Sequence, residues 1–230
     1  LTAGALATPA IMMRSGLGPA AHLKDMGIAV LRDIPGVGEN FQDHVAVPIE
    51  ARLKEPISIE GQNRGLRAAM QALRYLAFRN GLLSSNILEC GGFVDTNNLG
   101  RPDIQYHFMP AFSLTSDGTR AEGHGLSFSA CVLRPQSRGR IRLKSADPAE
   151  PIMLHANILK DRADVLTMLR GLQLGLDILR APAMRAVVAE RRIPGGDDLS
   201  DAALEAHMAR EAKTVFHPAG TCRMGGDGDP

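Results

Sequence analysis

The chain of 230 residues predicts a mixed fold of helices and an antiparallel sheet, with a middle domain inserted between two terminal pieces. Three observations predict it. First, short strand-like stretches (VAVPIEA, GGFVDT, DIQYHFM, LSFSACVL, RGRIRLKS) are separated by polar links rich in Gly, Ser and Asp, the pattern of strands joined antiparallel. Second, residues 161–179 carry Val165, Met168, Leu169, Leu172, Leu176 and Leu179 on one helical stripe, which can cover a face of such a sheet. Third, the texture changes near Asp43 and again near Lys213. That groups 1–44 with 214–230 and leaves 45–213 as a separate middle domain.

Composition narrows the function classes. With 44% hydrophobic residues the chain can bury a real core. Lys and Arg number 26 against 25 Asp and Glu, so no net field draws it to nucleic acid or membrane. Tryptophan is absent and tyrosines number two, which argues against base-stacking platforms. Cys90, Cys131 and Cys222 are odd in number and far apart, neither a disulfide framework nor a metal motif, and they predict a reducing, cytoplasmic location. No apolar run approaches the roughly 20 residues that span a bilayer. The opening LTAGALATPA lacks the basic start of a signal peptide.

The smaller elements follow from local signals. Thr8 is read as a helix N-cap with Pro9 at the first helical position, and Ser15-Gly16-Leu17-Gly18-Pro19 ends that helix. Ala20 to Met26 is a short helix stopped by Gly27, Ile28 to Arg32 is strand-like, and Pro35 to Gly38 is a glycine turn. Arg64 to Asn80 places Leu66, Met70, Leu73 and Ala77 on one helical stripe, with four arginines elsewhere on the same helix. Ser200 caps a helix running to Ala212.

Two segments carry the chemistry. GALATPAIMMRSGLG, residues 4–18, overlaps the bulk-free Ala3-Gly4-Ala5, where backbone can approach a dinucleotide closely; a glycine turn before a helix serves plain packing as readily. HPAGTCRMG, residues 217–225, joins a histidine to a Pro-Ala-Gly turn. The first resembles the second signature of the glucose-methanol-choline (GMC) oxidoreductases. The second resembles that family's C-terminal histidine segment, and PGVGENFQDH and PDIQYHF resemble segments between them. The order is right and the likeness runs end to end, nearest to the choline dehydrogenase-like branch.

The resemblance implies an α+β and α/β architecture: part of a FAD-binding Rossmann-like domain in residues 1–44 and 214–230, and a substrate domain in 45–213 built as an antiparallel sheet backed by helices. It implies FAD as cofactor, with Ala3, Gly4 and Ala5 in contact with it, and hydride transfer from a small-molecule alcohol to the flavin. His217 is then the general base for the hydroxyl proton, a role suited to imidazole, whose unperturbed pKa is about 6.5. On the same grounds His107 lines the substrate pocket, and Glu89 faces a quaternary ammonium head, where a carboxylate gains Coulomb attraction. Each has a plainer reading, a structural histidine on a strand and a glutamate at a strand start.

Asn40, Asp43 and His44 are read as fixing the chain where it leaves the flavin domain, by side chain to backbone bonds, with His44 also a pocket candidate. Cys222 is not read as a nucleophile. His155 and Ile158 depart from the family pattern, so no substrate is carried over from that region. The GxGxxG that holds the FAD pyrophosphate is absent (GVGENF ends in Phe41), as is the family's second catalytic His or Asn. The resemblance therefore implies the middle and later portion of a longer enzyme. It leaves the electron acceptor open, leaves room for a homo-oligomer, and prefers dehydrogenase to oxidase only through its nearest branch. A lyase on the same fold and a flavin-free binding module are the rival readings.

Overall fold

The computed structural model describes residues 1–88, 90–113 and 121–226. In chain order the elements are α1 (Gly4–Arg14), β1 (Leu17–Gly18), α2 (Ala20–Asp25), β2 (Arg32–Asp33), β3 (Val45–Leu53), α3 (Gly65–Phe78), β4 (Cys90–Val94), β5 (Ile104–Met109) and β6 (Gly125–Val132). They continue with β7 (Arg140–Arg142), β8 (Met153–His155), α4 (Arg162–Arg180), α5 (Pro182–Val187), β9 (Val188–Ile193), α6 (Asp201–Glu211) and β10 (Lys213–Thr214). The chain divides into two units. The first is Leu1–Val45, Arg134–Asp164 and Thr214–Pro230; the second is Ala46–Leu133 and Val165–Lys213.

In the first unit α1 begins at Gly4, so Thr8 is not its N-cap and Pro9 lies inside it. The reason is a repair. Pro9 has no N–H to give the carbonyl of Ala5, four residues earlier, and the buried Thr221 hydroxyl donates to that carbonyl instead, at 2.6 Å. Helix α1 then turns Pro9, Ala10 and Met13 inward. Ala10 and Met13 meet Leu23 of α2 together with Val37, Phe41, Ile141 and Leu143 in one apolar cluster. Strand β1 pairs in parallel with β2 across α2, and the strand expected over Ile28 to Arg32 pairs only from Arg32 onward.

The segment Arg134–Asp164, read from sequence as part of the middle domain, lies in this first unit. Backbone bonds tie it there. Phe41 and Gly139 exchange N–H groups at 2.9 and 2.8 Å, Ile141 N–H reaches Gly38 O at 2.6 Å, and Leu143 N–H donates to His22 Nε2 at 3.0 Å. Strands β7 and β8 pair antiparallel within it.

The second unit is an antiparallel sheet with strands in the order β3-β6-β5-β4 and β9 paired to β3. The expected helical stripe covers it: Met168, Leu169, Leu172, Leu176 and Leu179 of α4 are all buried. Two glycines let α4 approach closely. A Cβ on Gly175 would stand 2.4 Å from Ile49 Cδ1, and one on Gly171 would stand 2.9 Å from Ile104 Cδ1. Tyr106 closes the seam by donating its hydroxyl to Gly171 O at 2.6 Å. Each fully buried leucine contributes about 1.5–3 kcal/mol to such a seam.

Strand β3 differs from the half-buried strand its alternation suggests: every residue from Val45 to Ala51 is buried. Glu50 is therefore a buried carboxylate. It accepts from Arg192 Nη1 at 2.6 Å and from Ser113 N–H at 2.8 Å, which satisfies its charge. Helix α3 shows another departure. Its apolar stripe faces solvent, and no residue of this helix is buried.

Candidate active site

The site is built where the chain leaves residues 38–44 and where it returns at 214–221. The two stretches run beside each other through backbone bonds. Gln42 and Ala219 exchange N–H groups at 3.0 and 2.8 Å, Val215 N–H reaches His44 O at 3.2 Å, and Gly38 N–H reaches Thr221 O at 2.9 Å. Asn40 adds a side-chain bond from Nδ2 to Gly220 O at 3.2 Å. Gly220 is required here. Its φ is +90°, and a Cβ would stand 2.3 Å from the Asn40 carbonyl oxygen.

Asp43 shapes the turn that bears His217. One carboxylate oxygen accepts the His217 N–H at 3.0 Å, and the other accepts the Thr214 hydroxyl. Thr214 Oγ1 in turn accepts the Phe216 N–H at 2.8 Å. Between them Phe216 takes φ +64°, a left-handed conformation costing roughly 1–2 kcal/mol for a residue with a Cβ. These bonds hold that strain and leave the His217 imidazole exposed. Its Nδ1 lies 3.3 Å from His44 Nδ1, with the two rings edge-on at a centroid distance of 5.3 Å.

Ala3 and Gly4 are exposed and Ala5 is half-buried at the start of α1. The first turn has no acidic residue and no side-chain cap, and nothing lies within 4 Å of a Cβ built on Gly4. Apart from the Ala3 N–H, which donates to Thr8 Oγ1 at 3.1 Å, the N–H groups and the positive end of this 11-residue helix are open to a ligand rich in anionic or carbonyl oxygens. These residues fit one edge of a flavin dinucleotide.

The other candidates fall elsewhere. His107, half-buried on β5, belongs to the second unit and stands in register with Gly91 of β4 and Ser129 of β6. Strand alternation puts it on the sheet face opposite Tyr106, away from α4. Glu89 lies outside the described residues. Cys222 Sγ is 3.8 Å from Met12 Sδ, and partial burial pushes its thiol up, opposed by the Gly38 N–H; a raised thiol has little thiolate to act as nucleophile. Among the described residues no cluster of His, Cys, Asp and Glu could hold a metal ion.

Sequence reading singled out Asn40, Asp43 and His44 as fixing residues but passed over Thr214 and Thr221. For Thr221 a signal existed: a proline inside a helix strands the carbonyl four residues before it. Nothing in the sequence says which hydroxyl answers.

Two sequence models of one family, both described as GMC oxidoreductase, match residues 1–46 and 135–230 and together take in more than half of the chain. An alcohol dehydrogenase [acceptor] of Pseudomonas putida is 39% identical over 99% of this chain and 42% of its own length. An oxygen-dependent choline dehydrogenase of Photobacterium profundum is 36% identical over 100% of this chain and 41% of its own. Among solved structures, a formate oxidase of Aspergillus oryzae, described for its FAD modification, superimposes with a TM-score of 0.84 at 25% identity, covering 96% of this chain and 43% of that one. The chain thus spans about two fifths of the length of these curated relatives.

Proposed function

The chain belongs to the GMC oxidoreductase family, and from that premise we propose that it is part of a FAD-dependent enzyme oxidising an alcohol to an aldehyde or ketone. FAD supplies the hydride acceptor when bound. Ala3, Gly4 and Ala5 hold it at the open end of α1. His217 takes the proton from the substrate hydroxyl as the carbon gives up its hydride. By the family resemblance we propose substrate contacts for His107 and Glu89 as well, Glu89 serving an alcohol that carries a cationic head.

The observation that carries this reading is the turn 214–217. Asp43, Thr214 and the strained Phe216 fix the backbone so that one exposed imidazole is presented, and its Nδ1 is engaged by His44. With the His217 Nδ1–H donating to His44 Nδ1, the lone pair that remains is on Nε2, and that atom can accept a proton. The test is the pH dependence of kcat/KM for the flavin-loaded protein. Log kcat/KM rises with unit slope on the acid side and then levels off, as for a base that must be unprotonated. In His217→Gln that limb is gone. A variant that keeps the same acid limb assigns the base to another group.

A further inference from the structure

Thr221 joins the two halves of the candidate site. Its hydroxyl donates to the Ala5 carbonyl at 2.6 Å across 216 positions of sequence. Ala5 is the last of the three residues read as holding the cofactor, and Thr221 stands four residues after His217. Both ends of this bond are braced. On one side the Ala3 N–H donates to Thr8 Oγ1 at 3.1 Å, so residues 3–5 move with α1 as one piece. On the other, the Thr221 carbonyl accepts the Gly38 N–H at 2.9 Å, Gly220 O accepts from Asn40 Nδ2, and Ala219 is paired with Gln42. Thr221 itself is buried, and the next residue, Cys222, sets its Sγ 3.8 Å from Met12 Sδ, so the chain runs on against α1.

Pro9 makes the acceptor available. It leaves Ala5 O without a helical donor, and a hydroxyl from the segment that carries the base takes that place. Stability alone does not require the donor to come from there: Ala5 is half-buried in the first turn of α1, where water also serves orphaned backbone groups. The choice of this donor has a geometric consequence. Hydride and proton leave the same alcohol, and each reacting atom must stand about 3–3.5 Å from its acceptor. The residues that hold the hydride acceptor and the residue that takes the proton come from opposite ends of the sequence, so one must be fixed against the other. We propose that Thr221 is a positioning residue, whose bond to Ala5 O sets the cofactor-holding edge of α1 against His217. The role rests on the reading of His217 as the base and of residues 3–5 as a cofactor contact.

The experiment uses the complete flavin-loaded enzyme that contains this chain and compares Thr221→Val, Thr221→Ser, Pro9→Ala and the double variant Pro9→Ala with Thr221→Val. Thr221→Val lowers kcat about 10-fold or more at matched flavin content, with the alcohol KM little changed, as for a catalytic group displaced by part of an ångström. Thr221→Ser, which keeps the hydroxyl, stays within about threefold of wild type. In the Pro9→Ala background the N–H restored at position 9 satisfies the Ala5 carbonyl, so Thr221→Val no longer strands an acceptor, yet it lowers kcat by the same factor. A second readout needs no turnover: in the apoprotein Thr221→Val speeds amide exchange over residues 3–8 and 217–222 together, and Thr221→Ser does not. Three results would overturn the proposal: Thr221→Val that turns over like wild type, exchange that is unchanged in both segments, or a rate loss that disappears in the Pro9→Ala background, which would make the bond a repair of the helix only. The reading beneath it fails separately: wild-type turnover in His217→Gln would place the base elsewhere, and the positioning role would fall with it.

Discussion

The two units of this chain are held together in different ways. The second is a sheet under one long amphipathic helix, where Met168, Leu172 and Leu176 are buried and Ile104 and Ile49 of the sheet fill the space beside Gly171 and Gly175. Its order is chiefly a matter of apolar burial. The first is assembled from three stretches far apart in sequence, with paired strands of two or three residues. Specific polar bonds set its register: the Gln42–Ala219 exchange, the Asp43 carboxylate and the Thr221 hydroxyl. Polar stitching positions a side chain to within a hydrogen bond's tolerance, which an acid–base residue requires. Apolar packing makes the firmer scaffold.

Gly220→Ala breaks the stitched unit most severely. The new methyl meets the Asn40 carbonyl and the backbone leaves φ +90°, so the segment bearing His217 shifts. A loss of about 100-fold in kcat is expected, in line with a misplaced catalytic group, together with faster amide exchange over residues 214–221. Activity close to wild type would show that the register of this segment does not matter.

Thr221→Val tests the Pro9 repair. It strands the half-buried Ala5 carbonyl, at a cost of about 1 kcal/mol for the lost hydrogen bond, and Thr221→Ser restores most of it. Denaturant midpoints of the three proteins decide this. Destabilisation by Ser with Val close to wild type would place the effect in the methyl group and not in the hydrogen bond.

The second unit was the more legible from sequence because its signal is periodic. The spacing of residues 161–179 gave α4 and its buried face, and the alternating stretches gave β4, β5 and β6. Strand β9 (VAERRI) has no such signal and forms by pairing with β3. For α3 the stripe was visible but its direction was not, since periodicity says that one face is apolar and not which way it looks. In the first unit, motif residues such as His217 and Gly4 stood out. The start of α1 did not, because Pro9 argues for a later start until Thr221 is known to supply the missing bond.

The smallest effect compares one histidine in each unit. Burial pushes His22 down, the Arg142 charge adds to this and Asp25 opposes it. Burial also pushes His207 down, with its bond to the Pro48 carbonyl opposing. Both folded values lie below the unfolded one of about 6.5, so the stability from each is fully present above that pH. It is lost as pH falls through the lower folded values. Melting temperature should therefore decline from about pH 7 to about pH 5, and His22→Gln with His207→Gln should flatten that decline. An unchanged slope in the double variant would assign the acid sensitivity to the carboxylates.

The account rests on His217 as the base, and the most direct test is kcat for His217→Ala at matched flavin content. The variant should bind FAD and the alcohol but turn over about 100-fold or more slowly, the usual consequence of removing a general base. Turnover within about threefold of wild type would contradict the assignment and with it the meaning given to the turn that Asp43 holds.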